Sequence, residues 1–225
     1  MTKFLSFLLM GLVKVLAHVF YRGQPNWLSK EQESSLKDVR LVVFLNHTSL
    51  FEPLFIRFAP WSFVWRIAHK VIVPGADVTL DRPLAGTLLK TLLPGVIPIT
   101  RKADESCEHF LSLVNTDMIT AILPEGRMKR RNGLDKEGKP MSVRGGVADI
   151  LERLDNGKML FLYSGGLHHI QCPGEKLPRL FKTLTANLQI VDIQAYKQTV
   201  NQRSEVNFKA KVMADMNARL DAFVR

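Results

Sequence analysis

The sequence predicts one mixed α/β domain led by an apolar helix, and three observations carry that expectation. Short apolar runs recur at 41–45, 96–99, 118–123 and 158–164, with the length and composition of buried strands. Stretches with helical spacing stand between and after them: Leu84, Leu88, Leu89 and Leu92, then VADILERL at 147–154, then Phe208, Val212, Met216, Leu220 and Phe223. Finally, 225 residues with 46% hydrophobic and 23% charged side chains suffice for one substantial core and are too apolar for a disordered chain.

Taken in order, residues 1–22 carry Lys3, Lys14 and Arg22 as their only formal charges and no acid. On a helical wheel Lys3, Lys14, His18 and Arg22 fall on one narrow stripe, and Phe4, Leu5, Leu8, Leu9, Leu12, Val13, Leu16 and Phe20 fill the broad remainder. An interfacial membrane-binding helix fits this pattern best. A transmembrane span would bury Lys14 near its middle at roughly 2.5–3.5 kcal/mol. A signal peptide would have its apolar region interrupted by the same lysine, and a simple packing helix is the remaining alternative. Residues 23–40 turn polar and read as a connector with room for a short helix. The domain proper is expected from 41 to 225.

Within it, Leu41–Leu45 reads as a strand that delivers Asn46 and His47 to a turn, and Pro53–Ala59 reads as a helix. FVWRIA at 63–68 reads as a second buried strand, and Pro74-Gly75 as a loop. Arg82–Leu93 reads as a helix stopped by Pro94-Gly95. Val96–Ile99 is a strand that Pro98 makes short or an edge. Further strands are expected at 158–164 and 189–196, with a closing helix after Phe208.

The chemistry is concentrated in LNHTSLFE, residues 45–52. Asn46, Thr48 and Ser49 favour turns and helix caps, so Glu52 arrives about one helical turn past His47 and the two side chains can meet. An imidazole held by a carboxylate on its far nitrogen is a competent general base near neutrality. Thr100, Arg101 and Lys102 end the 96–99 strand, where α/β sheets present ligand groups, and a guanidinium at Arg101 can hold two phosphate oxygens. Pro124, Glu125, Gly126 and Arg127 follow the 118–123 strand. Proline sets the entry angle there, and glycine permits a tight backbone that can face an anion.

Between Arg127 and Arg144 seven basic residues stand against two acidic ones, within a chain of net charge +10. That balance implies an anionic partner, either an acidic membrane surface or a phosphorylated molecule. No aromatic residue is interleaved for base stacking, so nucleic acid is not expected. Arg144-Gly145-Gly146 enters the 147–154 helix, whose positive end an anion can approach. Only two cysteines occur, Cys107 and Cys172, with no CxxC spacing, which points to a reducing compartment and away from a disulfide scaffold. His168, His169 and Cys172 lack a second ligand pair and are expected to be pocket or loop residues rather than a zinc site.

NHTSLFEP, GVIPITR and LPEGR resemble, in order and separation, the motif series of the 1-acylglycerol-3-phosphate acyltransferase family, over roughly Leu41 to Gly166. Glu52 stands where the family usually has aspartate. Pro98 replaces an aromatic, the usual threonine between Gly126 and the arginine is absent, and Gly165-Gly166 lacks the fourth motif's proline. The resemblance implies a glycerolipid-acyltransferase-like domain with a central mixed sheet flanked by helices. It also implies acyl transfer from acyl-CoA or acyl carrier protein to a lysophospholipid, giving phosphatidic acid from 1-acyl-sn-glycerol 3-phosphate. His47 and Glu52 would be the catalytic pair, and Asn46, Arg101, Glu125, Gly126, Arg127 and Arg144 the acceptor-binding set. Such transfer needs no metal or redox cofactor. The enzyme would work on the cytoplasmic face of the inner (plasma) membrane. Neither Ser49 nor Cys107 lies in an activated nucleophile arrangement, so direct attack on the thioester is expected. Another lipid acceptor, a lipid hydrolase using the same dyad, and a noncatalytic membrane-binding protein are the alternatives.

Overall fold

The polar residues that interrupt the apolar runs dictate where each element stops, and the computed structural model shows how the elements stack. It describes residues 2–29, 33–100, 104–175, 177–202 and 207–224, without the side chains of 33–35, 84 and 85. Helix α1, Thr2–Phe20, buries Ser6, Met10, Gly11, Lys14 and Ala17. Its outward face carries Phe4, Leu5, Leu8, Leu12, Val15, Leu16 and Val19, all exposed. The expected charged stripe therefore does not lie wholly on the water side. Lys14 is only 7% exposed, and its ammonium donates to the Arg57 and Ala59 carbonyls at 2.8 and 2.7 Å. Those carbonyls sit at the end of a 3-10 helix, Glu52–Phe58, where backbone acceptors lack internal partners and a cation is favoured. Lys3 and His18 remain exposed.

The stretch expected as a connector contributes an edge strand, β1 (Arg22–Trp27), and a 3-10 helix at Glu33–Asp38. Strand β2, Val39–Leu45, alternates buried Val39, Leu41, Val43 and Leu45 with half-buried residues. Residues 63–68 are not a strand. They belong to helix α2, Trp61–Lys70, which buries Phe63, Val64 and Ala68 and leaves Trp61 and Trp65 exposed. That burial follows the 3.6-residue period and overrides the strand-favouring side chains.

The strand begins where a loop was expected, as β3 (Val71–Ala76), and runs through Pro74 and Gly75. Proline is tolerated there because β5 pairs only with Val71 and Ile72, while Val73–Ala76 pair with β4 alone. The short helix α3 (Asp77–Leu80), α4 (Pro83–Leu92) and β4 (Val96–Ile99) follow. Next come α5 (Glu105–Ser112), β5 (Ile119–Ile122), α6 (Gly146–Arg153) and β6 (Lys158–Ser164). Strand β7 covers Thr183–Asp192 rather than 189–196. Asp192 caps helix α7 (Ile193–Asn201) by accepting from the Ala195 amide, and so ends the strand. Helix α8, Phe208–Phe223, closes the chain with Val212 and Met216 buried.

The sheet order is β1-β7-β6-β2-β5-β3-β4. Every neighbouring pair is parallel except β6 with β7, so the sheet is mixed and β4 is an edge, as its proline predicts. Both faces are covered. Leu41, Val43, Met159, Phe161 and Tyr163 pack with α6, α7 and α8 residues. Leu160, Leu162, Leu184 and Leu188 pack with Ala17 of α1 and with Leu54, Phe55 and Phe63. Because β2, β4, β5 and β6 run the same way, the segments that follow them emerge at one edge of the sheet.

Candidate functional site

At the carboxyl end of β2 the backbone turns sharply at Asn46, which adopts φ +69°. Asparagine tolerates this left-handed region better than most residues with a Cβ. Its side-chain amide donates to the Ser164 carbonyl at 2.8 Å. The turn brings His47 to Glu52, with Nδ1 and Oε1 3.1 Å apart. The same Oε1 accepts from the Thr48 and Ser49 amides at 2.9 and 2.8 Å. Nδ1 itself makes no aligned hydrogen bond, so the two side chains are in contact without a well-directed bond between them.

Other segments at the same edge brace the turn. Glu125, 2% exposed, accepts from the Asn46 amide at 2.5 Å and from the His47 amide at 3.3 Å. Burial pushes its carboxyl above the ordinary value, against the pull of those amides and the nearby His47 and Lys129 charges. The Lys129 amide donates to the His47 carbonyl at 2.7 Å, and His168 Nε2 contacts the Lys129 carbonyl at 2.7 Å. Thr48 Oγ1 accepts from the Leu167 amide, and Ser49 Oγ donates to Gln171 Oε1. Sequence reasoning missed Lys129, Ser164, Leu167 and Gln171 in this role. Only Gly165-Gly166, between two of them, signalled that the stretch matters.

The predicted acceptor groups divide. Arg127 pairs with Asp135 and Glu137, the two acids of its own loop. Asp135 is held down to about 2 by the Lys139 amide and the Arg127 guanidinium. Arg144 lies across Gly126, which adopts φ +65°, and its guanidinium has no partner among the described residues. Arg101, with Lys102, lies outside the described residues. At Gly145 the Lys209 side-chain stem fills the space a Cβ would take, and its ammonium pairs with Asp149 at 2.7 Å. His169 Nε2 contacts the Thr183 carbonyl instead of joining His168. No cluster of three or more metal-ligating side chains occurs among the described residues.

His47 and Glu52 stand in the wall of a cavity of about 650 Å3, a size typical of ligand sites. Its apolar lining includes Val42, Phe44, Phe55, Phe58, Leu160 and Leu162, with Met10 and Val13 from α1, and its polar lining includes Arg127 and Arg144. Val42 and Phe44, on the half-buried face of β2, thus line the cavity while packing against the core beneath α1. The arrangement offers a general base beside a long apolar volume, with a free guanidinium at hand.

Comparison with known proteins agrees with the fold. A family model described as Acyltransferase matches residues 28–173. Among solved structures, the 1-acyl-sn-glycerophosphate (LPA) acyltransferase PlsC from Thermotoga maritima superposes with a TM-score of 0.51 at 16% identity. That match covers 95% of this chain and 80% of the other. No curated protein matches the chain. The family model covers more than half of the sequence, so this chain belongs to the acyltransferase family and is an acyltransferase.

Proposed function

We propose that the enzyme moves a fatty acyl chain from an acyl thioester, acyl-CoA or acyl carrier protein, to the free hydroxyl of a lysophospholipid. 1-Acyl-sn-glycerol 3-phosphate, giving phosphatidic acid, is the acceptor we favour. The observation that carries this reading is the His47–Glu52 contact of 3.1 Å in the wall of the apolar cavity. His47 Nε2, which makes no hydrogen bond among the described residues, takes the hydroxyl proton as that oxygen attacks the thioester carbonyl. The Glu52 carboxylate stabilises the imidazolium. The tetrahedral intermediate then breaks its C–S bond, and the proton passes from His47 to the leaving thiolate. Direct attack is supported by Ser49, whose hydroxyl is engaged with Gln171, and by Cys107, whose thiol burial pushes up. Arg144 and Arg101 would hold the acceptor phosphate, while Glu125 acts by setting the Asn46–His47 turn.

The apolar outer face of α1 and the chain's net charge of +10 support attachment to an anionic membrane. Two free, unpaired cysteines support the cytoplasmic side. The test is thiol release from palmitoyl-CoA and from palmitoyl acyl carrier protein, with and without lysophosphatidate, for the wild type and His47→Ala. We expect acceptor-dependent release that the variant lacks. Variant turnover above about a tenth of wild type overturns the base assignment, since positioned bases contribute ~10²- to 10⁴-fold. Equal release of free fatty acid without acceptor would make the enzyme a hydrolase.

A further inference from the structure

The outward apolar face of α1 does not end with the helix. Loop residues Leu177, Leu180 and Phe181 are 80%, 44% and 70% exposed, and the Phe181 ring lies 6.0 Å from that of Phe20, the last residue of α1. The display is built into the backbone. The Phe181 amide donates to the Phe20 carbonyl at 2.7 Å, and the Arg22 amide to the Lys182 carbonyl at 3.0 Å. On the other side the Arg179 amide donates to the Ile170 carbonyl at 2.7 Å. Phe181 is held at φ +60°, a region bulky side chains avoid unless their surroundings impose it. Folding thus leaves three large apolar side chains, Leu177, Leu180 and Phe181, facing water beside the end of an already apolar helix, where soluble surfaces rarely gather them.

Charge identifies what covers the patch. Arg22 and Lys182, both exposed, flank it and form no ion pair among the described residues, whereas Arg179 pairs with Glu175 and donates to the His168 carbonyl. Aromatic and aliphatic tips within a rim of unpaired cations match the interfacial layer of an anionic bilayer, with the tips in the acyl region and the cations among the phosphates. We infer that Leu177–Lys182 is a second bilayer-insertion element, which acts with the outer face of α1 to fix the enzyme's orientation on anionic lipid. This rests on the reading of α1 as a membrane-binding helix. A helix of 19 residues, about 28 Å long, can roll about its axis when it lies on a membrane alone. A second contact beyond its end removes that freedom. It thereby fixes how the cavity, which Met10 and Val13 line from the inner face of α1, sits relative to the bilayer.

The experiment measures co-sedimentation of the full chain with vesicles of phosphatidylglycerol and phosphatidylethanolamine, for Leu177→Ser/Phe181→Ser and for Leu12→Ser/Val15→Ser. All four residues are exposed, so folding, checked by thermal unfolding, should not change. We expect the loop variant to bind vesicles about tenfold or more weakly, from the apolar surface withdrawn from the bilayer, with turnover on detergent-dispersed acceptor unchanged. If the α1 variant loses binding and the loop variant does not, the second element is wrong and the helix reading stands. If neither loses binding, both are wrong. If the loop variant keeps vesicle binding but turns a dimer into a monomer by light scattering, the patch joins two copies of the chain and the proposal is overturned.

Discussion

Glu52→Gln separates the electrostatic role of the dyad from its structural one. The Glu52 carboxylate serves three groups through one oxygen: the Thr48 and Ser49 amides at 2.9 and 2.8 Å and His47 Nδ1 at 3.1 Å. Glutamine keeps an oxygen for the two amides, so the turn should hold and thermal stability should change little. What it removes is the negative charge beside an imidazole that becomes positive as it accepts the hydroxyl proton. At 3.1 Å and an effective dielectric of ~20, that attraction is about 5 kcal/mol, an upper figure because both side chains retain some solvent contact. Allowing for solvent, the rate should fall by roughly 10²- to 10⁴-fold, the range over which acid-base partners act. Continuous thiol release from acyl-CoA at saturating acceptor gives kcat, and circular dichroism checks the fold. Glu52→Asp keeps the charge but draws it back from the amides, so it should lose less rate and more stability than Glu52→Gln. Glu52→Gln retaining more than about a tenth of wild-type kcat would refute the dyad mechanism.

The cation over Gly126 should behave differently from its neighbour. Arg144→Ala should raise the KM for lysophosphatidate and leave the acyl-CoA KM alone, by the roughly 1.5–3 kcal/mol of a charge-assisted contact. Arg127→Ala, which leaves the buried Asp135 without its cation, should instead loosen the 127–139 loop, seen as faster proteolysis there. Lys14→Met removes the donor to the Arg57 and Ala59 carbonyls, and the two acceptors left behind should lower stability by about 1–3 kcal/mol in denaturant titration. Glu125 has a folded-state pKa raised by burial. Its contribution is therefore fully present below the unfolded value and lost as pH rises through the folded one. Glu125→Gln should abolish that pH-dependent loss, so its stability gap to the wild type narrows as pH rises. Its kcat should also fall, because the carboxylate oxygen nearest the His47 N–H becomes an NH2 group, which donates and cannot accept from it.

How much of this was legible in the chain depends on the range of the interactions involved. The β2 strand, the turn at Asn46 and the His47–Glu52 contact were readable because they lie within a dozen residues, where alternation, turn chemistry and helical rise act locally. The β4 edge, β6 and α8 were readable for the same reason. The α2 helix was misread because Phe63, Val64, Trp65 and Ile67 favour strands in isolation. Only packing against α1, with Phe7 meeting the Trp61 and Trp65 rings, selected the helical period. In β3 a proline looked like a loop because the sequence cannot reveal that its neighbour on one side stops after two residue pairs.

The residue types that the chemistry needs were thus determined by the sequence, while their division of labour was decided by the tertiary structure. Glu125 and the dyad are 78 residues apart along the chain and meet only because β2 and β5 are parallel neighbours that end together. That juxtaposition makes Glu125 a brace. The pairing of Arg127 with Asp135 and Glu137 leaves Arg144 as the free guanidinium over Gly126. Lys14, one of the few charges in an apolar helix, turns inward because folding sets two partnerless carbonyls beside it. Local periodicity can assign a face to a helix, but which face meets the protein depends on the donors and acceptors the rest of the chain brings to it.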